Sequence, residues 1–130
     1  MLVLGSLPGE ESLRRSEYYA HPRNLFWPIL ATLFGAPLPE AYADRLALAA
    51  RCRVALWDVV GIGELLDEHA DICGLAFNGG TALRLFDRHF ARRPGLTYLA
   101  LPSTSPAHAS LGFADKLARW QALRKLVQAD

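Results

Sequence analysis

The sequence predicts an α/β fold, a three-layer α/β/α sandwich around a small, mainly parallel four-stranded sheet. Four short apolar runs of strand length alternate along the chain with segments of helical periodicity. The runs are mostly apolar and do not alternate with polar residues, which is typical of strands covered by helices on both faces. Strands and helices in alternation favour parallel strands joined by helical crossovers.

The elements follow in order from these patterns. The four predicted strands lie at 1–4, 53–57, 73–77 and 96–101. Two helical patterns, at 25–34 and 39–51, precede the second strand, and a third at 79–90 precedes the fourth strand. The last helix is predicted from an apolar stripe at helical spacing, formed by Phe113, Leu117, Trp120 and Val127.

Composition narrows the class of protein. The chain has 130 residues, 52% of them hydrophobic, with 14 Lys plus Arg against 13 Asp plus Glu. We therefore expect one domain over 1–130 with a core of its own, and the apolar content excludes a disordered chain. The best membrane-span candidate, 25–38, is too short and is interrupted by Pro28 and Pro37. A net charge of +1 argues against a protein that coats nucleic acid nonspecifically, but it permits a local basic face.

The N-terminus and the cysteines indicate the cellular compartment of the protein. The first residues carry no basic region, so we expect no secretory signal. Cys52 and Cys73 are far apart and outside any CxxC spacing. This pattern predicts two buried thiols in a reduced, cytoplasmic protein.

Polar and small residues follow each predicted strand. In open parallel sheets ligands bind at the carboxyl ends of the strands, so these residues form the predicted site. They are the segment 5–9 after the first strand, Asp58 after the second, 78–80 after the third and 102–108 after the fourth.

The same residues also have structural interpretations, and the pattern alone leaves both open. The glycine- and proline-rich segment 5–9 is also an ordinary turn. Asn24, which precedes a predicted helix, is also a good N-cap. Asp58 and Asn78 are typical strand-end turn residues, and 103–106 is also a surface turn before the last helix.

Several other chemistries lack their motifs. The chain contains no GxSxG, no GxxxxGK[ST] and no GxGxxG. The histidines share no metal-ligand spacing with the cysteines, so we expect no metal and no cofactor. These histidines are His21, His69, His89 and His108.

Five segments in order carry a family resemblance. They are GSLPG at 5–9, YAHPRNLFW at 19–27, LWDV at 56–59, FNG at 77–79 and LPSTSPA at 101–107. Together they resemble the uracil-DNA glycosylase superfamily, and most of all its hypoxanthine-DNA glycosylase (DNA-deoxyinosine glycosylase) subgroup. The chain departs from that family in opening directly on its first strand and in the short stretch 58–77, where relatives usually have a longer insertion that 63–67 resembles in part.

The resemblance implies a single-module α/β fold and a monofunctional DNA glycosylase for base-excision repair. Such an enzyme flips out a deaminated base, hypoxanthine or uracil, and hydrolyses its N-glycosidic bond to leave an abasic site. The resemblance assigns Asn24 to positioning the attacking water and Tyr19 to stacking on the base. The implied base-binding residues are Gly5, Ser6, Leu7, Tyr19, Asp58 and Asn78. The implied DNA contacts are Arg23, Ser103, Thr104, Ser105, Pro106, Ala107 and His108. No lysine lies in these motifs, so no Schiff-base lyase step is expected.

A second interpretation belongs to a different class of protein. The same fold serves as a binding module for damaged bases or single-stranded DNA, with weak or no catalysis. Such a module keeps Tyr19 and the arginines for stacking and phosphate contact. Under either interpretation we expect a monomer whose partner is DNA with a deaminated base, and no membrane partner.

Overall fold

The computed structural model describes residues 1–5, 14, 17–106 and 110–128, apart from the side chain of Val60. The strands are β1 (Leu2–Gly5), β2 (Ala55–Asp58), β3 (Gly74–Asn78) and β4 (Thr97–Leu101). The helices are α1 (Phe26–Leu33), α2 (Tyr42–Arg51), α3 (Ile62–Glu68), α4 (Gly80–His89) and α5 (Phe113–Gln128), with a 3₁₀ turn at Val59–Gly61.

The four strands form one parallel sheet in the order β2-β1-β3-β4. The chain moves outward from β1 to β2 and then crosses back over β1 to β3. The order therefore reverses between β1 and β3, which is where ligands bind in open α/β sheets. The register pairs Gly5 with Asp58 and Leu4 with Phe77, so Asn78 comes level with Gly5 at the carboxyl edge.

The sheet is covered on both faces. In β1, Val3 packs with the buried residues of α1, α2 and α5, whereas Leu2 and Leu4 pack on the opposite face with α3 and α4. This follows from the period of two along a strand, which sends successive side chains to opposite faces. The three-layer sandwich and its four-stranded parallel sheet are therefore confirmed.

The helix α3 was not predicted from the sequence. Its buried residues Ile62 and Leu66, with Val59 before them, follow helical spacing. The pattern is only seven residues long, and Gly61 and Gly63 lower its helix propensity, so the signal is weak. The short stretch between β2 and β3 thus folds into a compact crossover.

Two expectations about burial are wrong. Cys52 is buried as expected, but Cys73 is exposed, because it lies just before the first residue of β3. The predicted apolar stripe of the last helix includes Phe113, which is 38% exposed because it is the first residue of α5. The buried face instead includes Lys116, which is only 2% exposed and whose pKa is lowered by burial.

No helix in the described part of the chain is long and apolar enough to cross a membrane.

Gly79 allows β3 to turn into α4 against the loop that follows β4. Its φ is +95° and its ψ is 160°, a conformation that is nearly exclusive to glycine. Its N–H donates to the Leu101 carbonyl (2.9 Å), and a Cβ at this position would lie 2.9 Å from the Cβ of Ser103. The absence of a side chain therefore sets how closely the loop at 103–106 approaches the end of β3.

We expect Gly79→Ala to lower the free energy of unfolding by about 2–4 kcal/mol, because backbone strain and a steric clash act together. Gly95→Ala is the matched control, since Gly95 has a φ of +87° with no atom within 4 Å of the added methyl. It should lose only about 1–2 kcal/mol, from the backbone alone. Urea unfolding of both variants measures the difference, and equal losses would contradict a close contact with Ser103.

Candidate functional site

The carboxyl ends of β1, β2 and β3 lie next to the side chain of Tyr19. A methyl group placed on Gly5 would lie 3.5 Å from the hydroxyl of Tyr19 and 3.8 Å from Oδ1 of Asp58. The hydroxyl of Tyr19 also shares a hydrogen bond with the side chain of Asn78. We call Gly5, Tyr19, Asp58 and Asn78 the strand-end cluster. It lies at the reversal in strand order, where the sequence predicted a site.

Tyr19 reaches this cluster in a strained conformation. Its φ is +57°, in the left-handed region that a bulky residue rarely adopts. Its ring stacks on Phe26, with ring centroids 4.4 Å apart and planes inclined at 27°. Burial raises the pKa of Tyr19 far above its ordinary value, the hydrogen bond with Asn78 opposes that rise, and the charge of Asp58 adds to it. The phenol therefore stays protonated and serves as a neutral hydrogen-bonding group.

Asn78 holds the loop at 103–106 through both ends of its amide. Its Oδ1 accepts from the N–H of Thr104 and its Nδ2 donates to Oγ1 of Thr104, each at 3.0 Å. Thr104 is only 1% exposed, and its carbonyl accepts from the N–H of Leu25 (3.0 Å). Asn78 thereby joins the end of β3 to the loop and, through Thr104, to the start of α1. Each of these bonds uses one position of the amide, and the second N–H of Nδ2 remains for the hydroxyl of Tyr19.

The rest of this loop is braced locally. The N–H of Ser105 donates to Oγ of Ser103 (3.1 Å), and the indole N–H of Trp120 donates to the Pro102 carbonyl (2.9 Å). The predicted DNA contacts of Ser103, Ser105 and their neighbours stay predictions. Four of the predicted site residues lie outside the described residues: Ser6, Leu7, Ala107 and His108.

Asp58 supplies a carboxylate at the end of β2. It is half-buried, and burial raises its pKa. Its negative charge contributes to the raised pKa values of Tyr18 and Tyr19, for both of which burial is the larger cause. Within the described part of the chain, no donor forms a hydrogen bond to this carboxylate. Asp58 is therefore an acceptor held in a partly dehydrated position.

Asn24 caps the helix that follows it. Its Oδ1 accepts from the N–H of Phe26 (2.9 Å), and its own N–H donates to the carbonyl of His21 (2.9 Å). The N-cap position of α1 is Leu25, so the predicted N-cap is displaced by one residue, but the side chain of Asn24 still satisfies an N–H of the first turn. The catalytic role of Asn24 stays a prediction. Arg23, beside it, is exposed, which suits contact with a phosphate.

A cavity of about 250 Å³ lies beside the strand-end cluster. Tyr19 and Asn24 line it, whereas Gly5, Asp58 and Asn78 do not. The structure thus divides the predicted site into the strand-end cluster and this side cavity, with Tyr19 common to both. Glu17, Glu40, Tyr42 and Arg45 also line the cavity, although no motif pointed to them.

The pKa of Asp58 leads to a test of the site's electrostatics. Because the folded pKa is raised, the stability provided by the protonated carboxyl is present below the unfolded pKa of about 3.9 and is lost as the pH rises through the folded pKa. Asp58→Asn should therefore be more stable than the parent chain at pH 7, by less than about 1 kcal/mol because solvent screens a half-exposed group.

Urea unfolding at pH 7 and pH 3 measures this effect. The difference between variant and parent should vanish at the lower pH, where both side chains are neutral. An Asp58→Asn variant that is less stable at pH 7 would show that stabilising hydrogen bonds to the carboxylate outweigh its desolvation.

Comparison with known proteins gives the chain its relatives. No protein-family model matches it. It is 43% identical over 65 residues to the hypoxanthine DNA glycosylase of Methanosarcina barkeri (strain Fusaro), a match covering 49% of this chain and 41% of the relative. It is 41% identical over 64 residues to the hypoxanthine DNA glycosylase of Methanosarcina acetivorans, covering 48% and 40%. The matched region spans about two-fifths of either relative.

A solved structure extends the similarity to the whole fold. A candidate uracil DNA glycosylase from Methanosarcina acetivorans superposes with a TM-score of 0.77 and 25% identity, covering 98% of this chain and 89% of that one. Its similarity agrees with the parallel sheet and flanking helices described above. The resemblance predicted from the five motifs is confirmed: the chain is similar to hypoxanthine DNA glycosylases, and its fold matches that of a candidate uracil DNA glycosylase.

Proposed function

We propose that the chain is a DNA glycosylase that removes a deaminated base, hypoxanthine or uracil, and leaves an abasic site. The observation that carries this proposal is the strand-end cluster, in which an amide, a carboxylate and a phenol converge at the carboxyl edge of the sheet. The hypoxanthine DNA glycosylases that match about half of the chain support the same activity. The proposed enzyme acts as a monomer, in one domain over 1–130, without a cofactor.

The chemistry of the cluster suits a deaminated base. Uracil and hypoxanthine each carry a carbonyl next to a ring N–H. The amide of Asn78 can donate to that carbonyl, and the carboxylate of Asp58 can accept from that N–H. The target bond is out of reach inside a duplex, so the nucleotide is flipped into the site. Tyr19 then stacks on the base, and the bond between Tyr19 and Asn78 exchanges for one to the base.

Leaving-group stabilisation is the main catalytic effect in this proposal. Cleavage of the N-glycosidic bond places positive charge on the sugar and negative charge on the departing base. A preorganised donor at the carbonyl of the base stabilises that negative charge, by about 3 kcal/mol for one hydrogen bond. The two hydrogen bonds between Asn78 and Thr104 fix the amide of Asn78 in position before the base arrives.

In this proposal Asn24 holds the attacking water as well as satisfying an N–H in the first turn of α1. A carbonyl oxygen has two lone pairs, and Oδ1 of Asn24 uses one of them for the N–H of Phe26. The second lone pair can accept from a water molecule. An amide is not a base at neutral pH, so Asn24 orients the water without removing its proton. The capping bond keeps the side chain in a single orientation, which favours this role.

We assign the contacts with the DNA backbone to Arg23 and to the loop at 103–106. Arg23 is exposed next to Asn24 and would pair with a phosphate. The loop at 103–106, braced by Asn78 and Trp120, would press on the backbone beside the flipped nucleotide. In the same proposal, Ala107 or His108 fills the vacated stack.

A glycosylase assay tests the proposal directly. Labelled DNA that contains hypoxanthine or uracil is incubated with the chain and treated with alkali, which breaks the strand at abasic sites. We expect alkali-labile ends at the lesion and none in undamaged DNA. Tight binding to lesion DNA without any cleavage would instead identify a binding module, for which the engagement of Asn78 by Thr104 and Tyr19 would be the structural reason.

Replacement of Asn24 separates catalysis from capping. Asn24→Ala should lower the single-turnover cleavage rate by about 10²-fold or more, while affinity for lesion DNA stays within a few-fold. Loss of the cap alone would lower stability by about 1 kcal/mol and leave the rate of the folded fraction unchanged.

Asn24→Asp is the matched control, because aspartate caps helices as well as asparagine does. Its stability should equal that of the parent chain, whereas its rate should shift by an order of magnitude in either direction. If Asn24→Ala cleaves at the parental rate after correction for folding, Asn24 has no catalytic role and Asp58 is the next residue to test.

Tyr19 is expected to act through its ring. Tyr19→Ala should weaken binding to lesion DNA by about 1–3 kcal/mol, since stacking on the base is lost. Tyr19→Phe keeps the ring and should stay within a few-fold of the parent, because the partner of the hydroxyl in the free protein is Asn78. Fluorescence anisotropy with labelled lesion DNA measures both affinities, and equal losses would assign the effect to the hydroxyl.

A further inference from the structure

The side cavity beside the strand-end cluster has walls that are fixed in the free protein. Tyr18 is held through both of its backbone polar groups. Its N–H donates to Oη of Tyr42 (3.0 Å), and its carbonyl accepts from the indole N–H of Trp27 (3.1 Å). The rings of Trp27 and Tyr42 meet edge to face at 6.2 Å. The cavity is therefore preformed, and binding of a ligand would cost little conformational entropy in the residues of its wall.

The lining combines donors, acceptors and aromatic surface. Arg45 donates through Nε to the carbonyl of Pro39 (2.7 Å). In the described part of the chain its guanidinium forms no ion pair with Glu17 or Glu40, although all three line the same cavity. The remaining N–H groups of Arg45 and the two carboxylates are thus available for a ligand. Tyr18 and the exposed Leu38 provide the less polar part of the wall.

Size and charge together indicate one class of ligand. At about 250 Å³ the cavity is smaller than the roughly 300–1,000 Å³ of pockets for drug-sized molecules, so it fits one ring system. Two carboxylates disfavour a phosphate group. Carboxylates accept from the N–H groups of a nucleobase, arginine donates to its carbonyl or ring nitrogens, and an aromatic ring stacks on its face.

We propose that the side cavity binds one unstacked base of the DNA, the immediate neighbour of the base held at the strand-end cluster. This inference rests on the proposed glycosylase function. Tyr19 belongs to the strand-end cluster and also lines the cavity, so the two sites adjoin at this residue. The neighbouring base is then read by Arg45 and the two glutamates, and affinity depends on whether that base is present.

A binding experiment with uncleavable DNA tests this. The probes are labelled single-stranded oligonucleotides with a tetrahydrofuran abasic analogue at the centre, and either natural bases or a second analogue at each adjacent position. For the parent chain, removal of the adjacent base on one side should weaken binding by about tenfold, within the range measured for stacked bases. Removal of the base on the other side should have little effect.

The variants Arg45→Met and Arg51→Met assign the effect to the cavity. Both remove one positive charge from α2, but only Arg45 lines the cavity. The dependence on the neighbouring base should disappear in Arg45→Met and persist in Arg51→Met. Arg45 also donates to the carbonyl of Pro39, so its replacement can disturb the local fold. A second pair of variants therefore serves as a check: Leu38→Asp changes a residue of the cavity wall, and Leu46→Asp changes a similarly exposed residue away from it.

The outcomes separate this inference from the proposed function. If affinity is the same with and without the neighbouring base, or if the cavity variants behave like their controls, the inference is wrong. Cleavage of hypoxanthine DNA, followed in parallel on the parent chain, decides the proposed function independently. A chain that cleaves but ignores the neighbouring base would keep the function and overturn the inference.

Discussion

The paired hydrogen bonds between Asn78 and Thr104 fix the relative position of three elements that the site needs. Asn78 ends β3, and Thr104 lies in the loop after β4 and accepts from the N–H of Leu25 at the start of α1. These groups are largely withdrawn from water. Because an unpaired polar atom is costly in such surroundings, each hydrogen bond favours the others. One amide thereby holds the loop at 103–106 and the helix preceded by Asn24 against the end of the sheet.

Tyr19 shows how packing maintains a strained residue at this position. A left-handed backbone costs about 1–2 kcal/mol for a residue with a side chain. The stacking of its ring on Phe26 offsets about 0.5–1.5 kcal/mol of that, apart from the area the ring buries. The bond to Asn78 adds a further contribution. In the proposed reaction, a base that offers Asn78 a better partner would displace the hydroxyl while the ring remains against Phe26.

The sequence was sufficient for the sheet and for much of the site because both depend on local pattern. Continuous apolar runs marked all four strands, and parallel topology then required Gly5, Asp58 and Asn78 to meet at one edge. Pairings between distant segments could not be read in this way. Thr104 bonds to Asn78 across 26 residues, and Tyr42 bonds to Tyr18 across 24. Both pairs join polar groups whose spacing in the chain carries no periodic signal, so the side cavity was not foreseen.

The two interpretations of Asn24 turn out to be compatible for a physical reason. Capping uses one lone pair of its side-chain oxygen and fixes the direction of the other. A catalytic amide must be oriented before the substrate arrives, since orientation gained during the reaction would raise the barrier. The cap therefore supplies the rigidity that positioning a water molecule requires. The same logic applies to Asn78, whose bonds to Thr104 orient the amide that the proposed reaction would direct at the departing base.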